Sequence, residues 1–390
     1  MSATPANLRR LGRLRVLQAV SEIGEVSRGD LVRHTGLSRA TISTLVADLA
    51  REGLVREQSS TATRLGRPPQ VVSLVPEAGY AFGLDLGHDH ARLVLADLAG
   101  TPVWDGTVEL DVDSSAEHAV TTAAGLVRAA LEDAGIERRS VLGLGAGIAC
   151  PVDRRTGMLR AEGIMPAWAG AKPAEMLTER TGLRTLVVND ANACVVAERR
   201  YGVARHCDDV VYLRLSAGIG AGVVCDGRML LGHDGLVGEL GHISVDPRGE
   251  VCRCGNRGCL ETIASPAAIA RLLSRSWGRT VTTAELMALL DAKDRGAVRA
   301  VEDAGEAVGR TLAMTVMTLN PQLVVVGGEL AAAGAVLFEP IRQALRRNSV
   351  SDLHGELRVV DSALGDSASA RGAAALVLAE APNLLTIDKV

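Results

Sequence analysis

The segment Gly238-Glu-Leu-Gly-His242, followed ten residues later by Cys252-Arg-Cys254-Gly-Asn-Arg-Gly-Cys259, is the most informative part of the chain. Three thiolates and one imidazole form a complete ligand set for a tetrahedral zinc ion, and the two glycines allow a short loop to fold around it. The segment therefore predicts a structural Zn²⁺ site made by His242, Cys252, Cys254 and Cys259. The alternative is three unpaired cysteines on a surface loop.

The composition is typical of a large protein with an aliphatic core. At 390 residues the chain is long enough for two or three domains. Hydrophobic residues make up 47% of it, but aromatic residues only 2%. We find no apolar run of the roughly 18 residues that span a membrane, and no apolar export signal at the start. Seven cysteines, three of them clustered, argue against a disulfide framework. We therefore expect a cytoplasmic protein with no membrane association.

The charge of the chain is divided unevenly between its beginning and the rest. Residues 1–70 contain eleven arginines and six acidic residues, a balance of +5, whereas the whole chain carries −4. The remainder therefore carries −9. A basic beginning on an acidic body is expected when only the first part contacts a polyanion.

This basic part has the pattern of a helix-turn-helix. Apolar residues recur at helical spacing from Leu8 to Val20, Ser27 can cap a second helix, and Gly36 can make the tight turn before a third. Trihelical order with a glycine-containing turn is typical of DNA-binding domains. The residues predicted to face DNA from the third helix are Ser38, Arg39, Ala40, Ser43 and Thr44.

Two short strands around a polar tip follow the third helix and predict a wing. The tip ends in Arg64-Leu-Gly-Arg67-Pro. No bulky side chain separates the two arginines, so they could enter a narrow minor groove. Arg64 and Arg67 are therefore further predicted DNA contacts. We assign residues 1–75 to a winged helix-turn-helix domain; the alternative is a small helical module that docks a protein.

From Gly79 onward the sequence alternates β-strands and helices and contains two glycine-rich turns. The first, around Asp85 and Gly87, resembles the first phosphate loop of the fold shared by sugar kinases, actin and the heat-shock chaperone ATPases. The second runs from Ser216 to Gly222. Between them Asn189-Asp190 follows an apolar strand, at the carboxyl end where open α/β sheets bind ligands.

Taken together, these motifs resemble the ROK family of repressors, open reading frames and kinases over essentially the whole chain. The head is similar to that of the repressor branch, which includes xylose and N-acetylglucosamine repressors. The resemblance implies an α/β fold: a winged helix-turn-helix followed by a two-lobed, actin/sugar-kinase-like (ribonuclease H-like) domain. It places the first lobe at 76–195, with a C-terminal helix at 370–385 packing back onto it, and the second lobe with the zinc loop at 196–369.

The same resemblance implies a sugar site between the lobes. His242 would use one ring nitrogen for zinc and the other for a sugar hydroxyl, and Asp190 would correspond to the catalytic base of kinase relatives. The ligand-binding residues that it implies are Asn189, Asp190, Glu239, His242 and Glu261.

The phosphate loops differ from those of the kinases. Kinase relatives have Asp-x-Gly-Gly-Thr-Lys, whereas this chain has Asp85-Leu-Gly-His-Asp-His90, and Glu329 replaces a glycine after Gly328. Phosphoryl transfer depends on positioning and charge stabilisation, so these losses predict that the chain is not an enzyme and that Asp190 is a vestigial base. On the sugar side, Ile164 replaces an asparagine of the relatives.

The sequence therefore predicts a transcriptional regulator, with repression the expected mode, that binds a palindromic double-stranded operator as a homodimer or tetramer. A sugar or sugar phosphate between the lobes would control DNA binding. Two alternatives remain open: an active sugar kinase fused to a DNA-binding head, and a regulator controlled by a protein partner.

Overall fold

The computed structural model describes residues 5–59, 70–160, 162–350 and 357–387. Its first part is the predicted trihelical head. Ser27 and Ser38 cap the second and third helices through their hydroxyl groups, and Gly36 ends the second helix with a φ of 69°. The head contains α1 (Pro5–Ile23), β1 (Val26–Ser27), α2 (Arg28–Thr35), α3 (Arg39–Arg51), β2 (Val55–Ser59) and β3 (Gln70–Leu74).

The wing is a small antiparallel sheet in the order β1-β3-β2. Its tip, with Arg64 and Arg67, lies outside the described residues. Leu31 from α2, Ile42 and Leu49 from α3 and Val72 from β3 are fully buried together. This aliphatic core fixes the third helix against the sheet, so the opposite face of the helix is left to solvent.

A five-stranded mixed sheet in the order β6-β5-β4-β7-β8 forms the centre of the first lobe. β4 pairs antiparallel with β5 and parallel with β7, so the parallel strands β4, β7 and β8 end at one edge. Its elements are β4 (Tyr80–Leu86), β5 (His90–Asp97), β6 (Pro102–Glu109), α4 (Ala116–Ala134), β7 (Val141–Ile148), α5 (Pro173–Thr181), β8 (Thr185–Asn189) and α6 (Asp190–Tyr201).

The second lobe repeats this topology. Its sheet has the order β11-β10-β9-β12-β13, again with one antiparallel hairpin side and one parallel side. Its elements are β9 (Val210–Leu215), β10 (Ile219–Cys225), β11 (Arg228–Met229), α7 (Glu261–Ala264), α8 (Pro266–Trp277), α9 (Thr283–Asp291), α10 (Arg295–Leu319), β12 (Leu323–Gly327), α11 (Ala335–Asn348) and β13 (Arg358–Asp361).

The last two helices, α12 (Ala368–Ala379) and α13 (Ala381–Ile387), return to the first lobe, and α12 packs on β4 and β7. The contact depends on strand glycines. A Cβ at Gly83 would lie 1.9 Å from the carbonyl oxygen of Ala370, and a Cβ at Gly145 would lie 2.0 Å from that of Ala373. The helix backbone therefore lies directly on the sheet, where any side chain would separate them.

One helix connects the two lobes. α6 packs against β7 and β8 of the first sheet and against β9 and β10 of the second. The boundary predicted between residues 195 and 196 falls inside α6, and the domain limits stay predictions. In the described part of the chain no helix is both long and apolar enough to cross a membrane.

Candidate functional site

A cavity of about 270 Å³ lies between the two sheets. The loop after β4, the start of α6, the turn between β9 and β10, and the cysteine loop all open into it, because the parallel strands of both sheets end at this edge. All five residues predicted to bind a ligand line this one cavity: Asn189, Asp190, Glu239, His242 and Glu261. Ligand binding by these residues stays a prediction.

Asn189 and Asp190 have different roles at the start of α6. Asn189 caps the helix, because its Oδ1 accepts hydrogen bonds from the backbone N–H groups of Ala191 and Asn192. Asp190 is buried beside it. Burial raises the pKa of its carboxyl group, although the positive charge of Arg214 acts to lower this pKa. Oδ1 of Asp190 also accepts the N–H of Ala191 at 2.7 Å, which leaves its Oδ2 to pair with Arg214 across the cleft.

Arg214 is the principal residue that the sequence analysis missed. From β9 its Nε lies 3.2 Å from Oδ2 of Asp190, its Nη2 lies 3.3 Å from Oδ2 of Asp85, and its Nη1 lies 3.5 Å from Sγ of Cys194. A lone arginine in an otherwise apolar strand was the available signal, since a buried charge requires a buried counter-charge. The guanidinium joins carboxylates of the first lobe to a strand of the second.

Asp85 is fully buried at the end of β4. Burial alone would raise its pKa, but Arg214 and His90 lower the pKa of Asp85 to about 2. Oδ1 of Asp85 also accepts a hydrogen bond of 2.7 Å from the hydroxyl of Ser369 in α12. Hydrogen bonds with Asp85 and Asp89 raise the pKa of His90 to about 9, so this histidine is cationic at neutral pH.

The rest of the first loop is also engaged with carboxylates. Nδ1 of His88 lies 2.8 and 2.9 Å from the two carboxylate oxygens of Asp113, and Nδ1 of His90 lies 2.8 Å from Oδ1 of Asp89. The loop therefore presents two imidazoles, His88 and His90, each paired with a carboxylate.

The predicted metal ligands come together at one side of the cavity. The ligand atoms of His242, Cys252, Cys254 and Cys259 all lie within 4.8 Å of one another. Nδ1 of His242 is 3.6 Å from Sγ of Cys252, and the sulfur atoms of Cys254 and Cys259 are 3.7 Å apart. Zinc–sulfur bonds of about 2.3 Å in a tetrahedron separate two sulfurs by about 3.8 Å. The four residues therefore have the chemistry and spacing to hold a metal ion.

The imidazole of His242 faces two ways. Its Nδ1 belongs to the thiol cluster, while its Nε2 lies 3.9 Å from Oε2 of Glu239 on the cavity side. Burial, Asp190 and Glu261 raise the pKa of Glu239 to about 7. Glu261, by contrast, pairs with Arg253 at 2.9 Å and accepts the backbone N–H of Ile219 at 3.1 Å.

The DNA-facing residues predicted on α3 are accessible. Arg39, Ala40 and Thr44 are exposed and Ser43 is half-buried, while Ser38 caps the helix by accepting the N–H of Thr41. Ion pairs of Arg9 with Asp48 and of Arg13 with Glu52 hold α1 against the other side of α3. Arg28, another residue missed from sequence, donates to Ser43 at 3.2 Å and pairs with Glu57 of β2, so it joins α3 to the wing.

Comparisons with known proteins agree with this architecture. Residues 81–380 match the model of the ROK family, and residues 7–64 match that of the MarR family. The chain is 30% identical to the DNA-binding transcriptional dual regulator NagC of Escherichia coli K12, over 95% of this chain and 93% of that one. It is 26% identical to a putative xylose repressor of Caldicellulosiruptor sp., over 96% and 97%.

Kinases and a regulator of known structure are also similar. The glucokinase of Thermotoga maritima is 32% identical over 76% of this chain and 96% of its own. The crystal structure of a ROK family transcriptional regulator, a homologue of the Escherichia coli MLC protein, superposes with a TM-score of 0.77 at 26% identity, covering 97% and 98% of the two chains. The predicted family and the predicted two-part fold are therefore confirmed: this chain belongs to the ROK family.

Proposed function

We propose that this protein is a DNA-binding transcriptional repressor whose operator binding is controlled by a sugar in the interlobe cavity. The observation that carries the proposal is the presence, in one chain, of an accessible helix α3 in a helix-turn-helix and a kinase-like cavity whose Asp190 is paired with an arginine. The regulators NagC and the xylose repressor, which are similar over nearly the whole chain, support it.

Control by a ligand requires that the ligand bind two conformations with different affinity. The cavity is lined by both lobes, so a sugar that contacts both would favour a closed arrangement. In a homodimer this closure would change the spacing between two heads on a palindromic operator. Both the dimer and the cytoplasmic location belong to this proposal; a tetramer is the alternative assembly.

The proposal includes the absence of kinase activity. A kinase would need Asp190 free to accept a proton and Asp85 free to organise a metal ion, whereas Arg214 lies within 3.3 Å of both carboxylates. Glu329 and Asp89 add negative charge where nucleotide phosphates would lie. ATP turnover measured with a panel of sugars tests this part, and turnover with any of them would contradict it.

Zinc is the metal that we propose for the cysteine loop. Three thiolates and an imidazole in a closed tetrahedral set favour Zn²⁺, which would stabilise the loop and thereby the positions of Glu239 and Glu261. No open coordination position remains for a substrate, so the proposed role is structural.

The decisive experiment is a gel shift of the zinc-loaded protein on its own upstream DNA, repeated with a panel of sugars and sugar phosphates. Release by one compound is the expected result. Tight DNA binding that none of the compounds alters would contradict sugar control and favour a protein partner. Absence of specific DNA binding would overturn the proposal entirely.

A further inference from the structure

Three polar side chains converge on Gly218, in the turn between β9 and β10. A Cβ at this position would lie 3.2 Å from Nη2 of Arg253, 3.2 Å from Oε2 of Glu261 and 3.7 Å from Nε2 of His88. Gly218 is not among the glycines with positive φ, so the backbone does not require glycine here. A methyl group there would be too close to Arg253 and Glu261, so glycine keeps these side chains in place. All four residues line the interlobe cavity, and the part of it beside Gly218, here called the gap, is bordered by three hydrogen-bonding atoms.

Each of the three side chains is oriented by a second contact. Nδ1 of His88 pairs with Asp113, which directs Nε2 toward the gap. Nε of Arg253 donates to Oε1 of Glu261, which leaves Nη2 at the gap, and Oε2 of Glu261 is held by the N–H of Ile219. Among the described residues, Nε2 of His88 and Nη2 of Arg253 have no other hydrogen-bond partner. The arrangement is therefore preorganised for a polar group that enters the gap.

The three residues come from different parts of the molecule. His88 follows β4 in the first lobe, whereas Arg253 lies between Cys252 and Cys254 in the metal-binding loop of the second. A ligand group at Gly218 would thus contact both lobes together, and the loop that holds the metal would set the position of one contact.

We propose that His88, oriented by Asp113, determines effector specificity together with Arg253 and Glu261, and that these groups bind a hydroxyl of an unphosphorylated, uncharged sugar. A hydroxyl both donates and accepts, which suits a gap that offers an Arg donor, a Glu acceptor and an imidazole nitrogen. This inference rests on the proposed sugar control, of which it names the ligand class.

The charge of the cavity disfavours a phosphate ester. The three arginines that line the cavity, Arg92, Arg214 and Arg253, are already paired with carboxylates. The His90 cation is likewise paired, with Asp85 and Asp89. Two acidic residues, Glu239 and Glu329, line the same cavity without an arginine partner, so a phosphate dianion would be repelled.

Direct binding by calorimetry to the full chain, without DNA, tests the inference. The probes are glucose, xylose and N-acetylglucosamine, with glucose 6-phosphate and N-acetylglucosamine 6-phosphate as matched esters. We expect one of the three free sugars to bind. If that sugar is glucose or N-acetylglucosamine, its 6-phosphate should bind at least tenfold more weakly. Tighter binding of an ester, or no binding of any free sugar, would overturn the ligand class.

Variants then test the site. His88→Ala, His88→Gln and Gly218→Ala should each weaken binding of that sugar at least tenfold, with unchanged zinc content and unchanged DNA affinity in its absence. Gly125→Ala adds a methyl group in open space on α4 and should bind normally. Unchanged sugar affinity in both His88→Ala and Gly218→Ala would refute the assignment. If sugar binds as expected but does not release DNA, the proposed function fails while this site stands.

Discussion

The guanidinium of Arg214 lies 3.2 Å from the carboxylate of Asp190 and joins the strand β9 of the second lobe to the first turn of α6. Removing one partner of a buried ion pair leaves the other charge without compensation. We expect Arg214→Met to lower the free energy of unfolding by about 3–5 kcal/mol, measured by chemical denaturation. The double variant Arg214→Met/Asp190→Asn should recover part of the loss, and strict additivity of the two changes would contradict the pairing.

Replacement of one thiol should remove the metal. Cys254→Ser is expected to lower the zinc content of the purified protein, destabilise the second lobe and abolish the effector response, because three ligands hold the ion less tightly than four. Elemental analysis and thermal unfolding measure the first two effects. Cys225→Ser, whose thiol lies outside the four-residue cluster, is the matched control. Normal zinc and normal induction in Cys254→Ser would refute a structural metal.

Stability should fall as the pH rises through the titration of His90. The pKa of His90 is about 9 in the folded protein, from an ordinary value of 6.5, because Asp85 and Asp89 bond to the cation. A raised pKa contributes stability that is complete below pH 6.5 and is lost as the pH rises through 9. The contribution is on the order of 3 kcal/mol at most.

Unfolding by denaturant at several pH values between 6 and 9.5 would measure this effect. His90→Gln cannot form the cation and should show a flatter dependence over that interval. The same slope in both proteins would assign the pH dependence to other groups.

Arg39 should carry a large part of operator affinity. It is exposed at the start of α3, where a guanidinium can reach a base edge or a phosphate. Arg39→Ala is expected to weaken operator binding by about 1–3 kcal/mol, read by gel shift at fixed salt. Arg128→Ala removes an exposed arginine from α4 and should leave DNA affinity unchanged. Equal effects of the two variants would show that only the overall charge matters.

The C-terminal helices should couple the cavity to the head. Asp85, which pairs with Arg214 of the cavity wall, accepts a hydrogen bond from Ser369 at the start of α12. Leu385 of α13 packs against the hydrophobic core of the head and against the core around α12. Leu385→Ala should preserve sugar binding and DNA binding but reduce the effect of sugar on DNA. Asn383→Ala, exposed on the same helix, should behave normally. Full induction in Leu385→Ala would exclude this route.

The sequence analysis predicted the proximity of His242 and the three cysteines, and the cap of α2, because each depends on local spacing. The cysteine loop closes within a few residues, and Ser27 reaches its own helix end. The contacts of Arg214, in contrast, join residues 24 and 129 positions apart, and nothing local in β9 indicates which carboxylates will meet it.

The strand glycines show the same limitation. Nothing in the sequence indicated that Gly83 and Gly145 allow the close approach of α12, which comes more than 200 residues later. Only the assembled sheet shows which glycines face a helix and which face the cavity.

The direct packing of α12 on β4 and β7 also determines the order in which parts of the protein can fold during synthesis. The helices and strands of the head end at Leu74, so most of the head can fold early on the ribosome, before Leu385 is added to its core. The sheet of the first lobe, by contrast, keeps a bare backbone face at Gly83 and Gly145 until residues 368–379 have been made. A chain released before that point would carry a largely folded DNA-binding head on an unfinished sensor, and would occupy operators that no effector could clear.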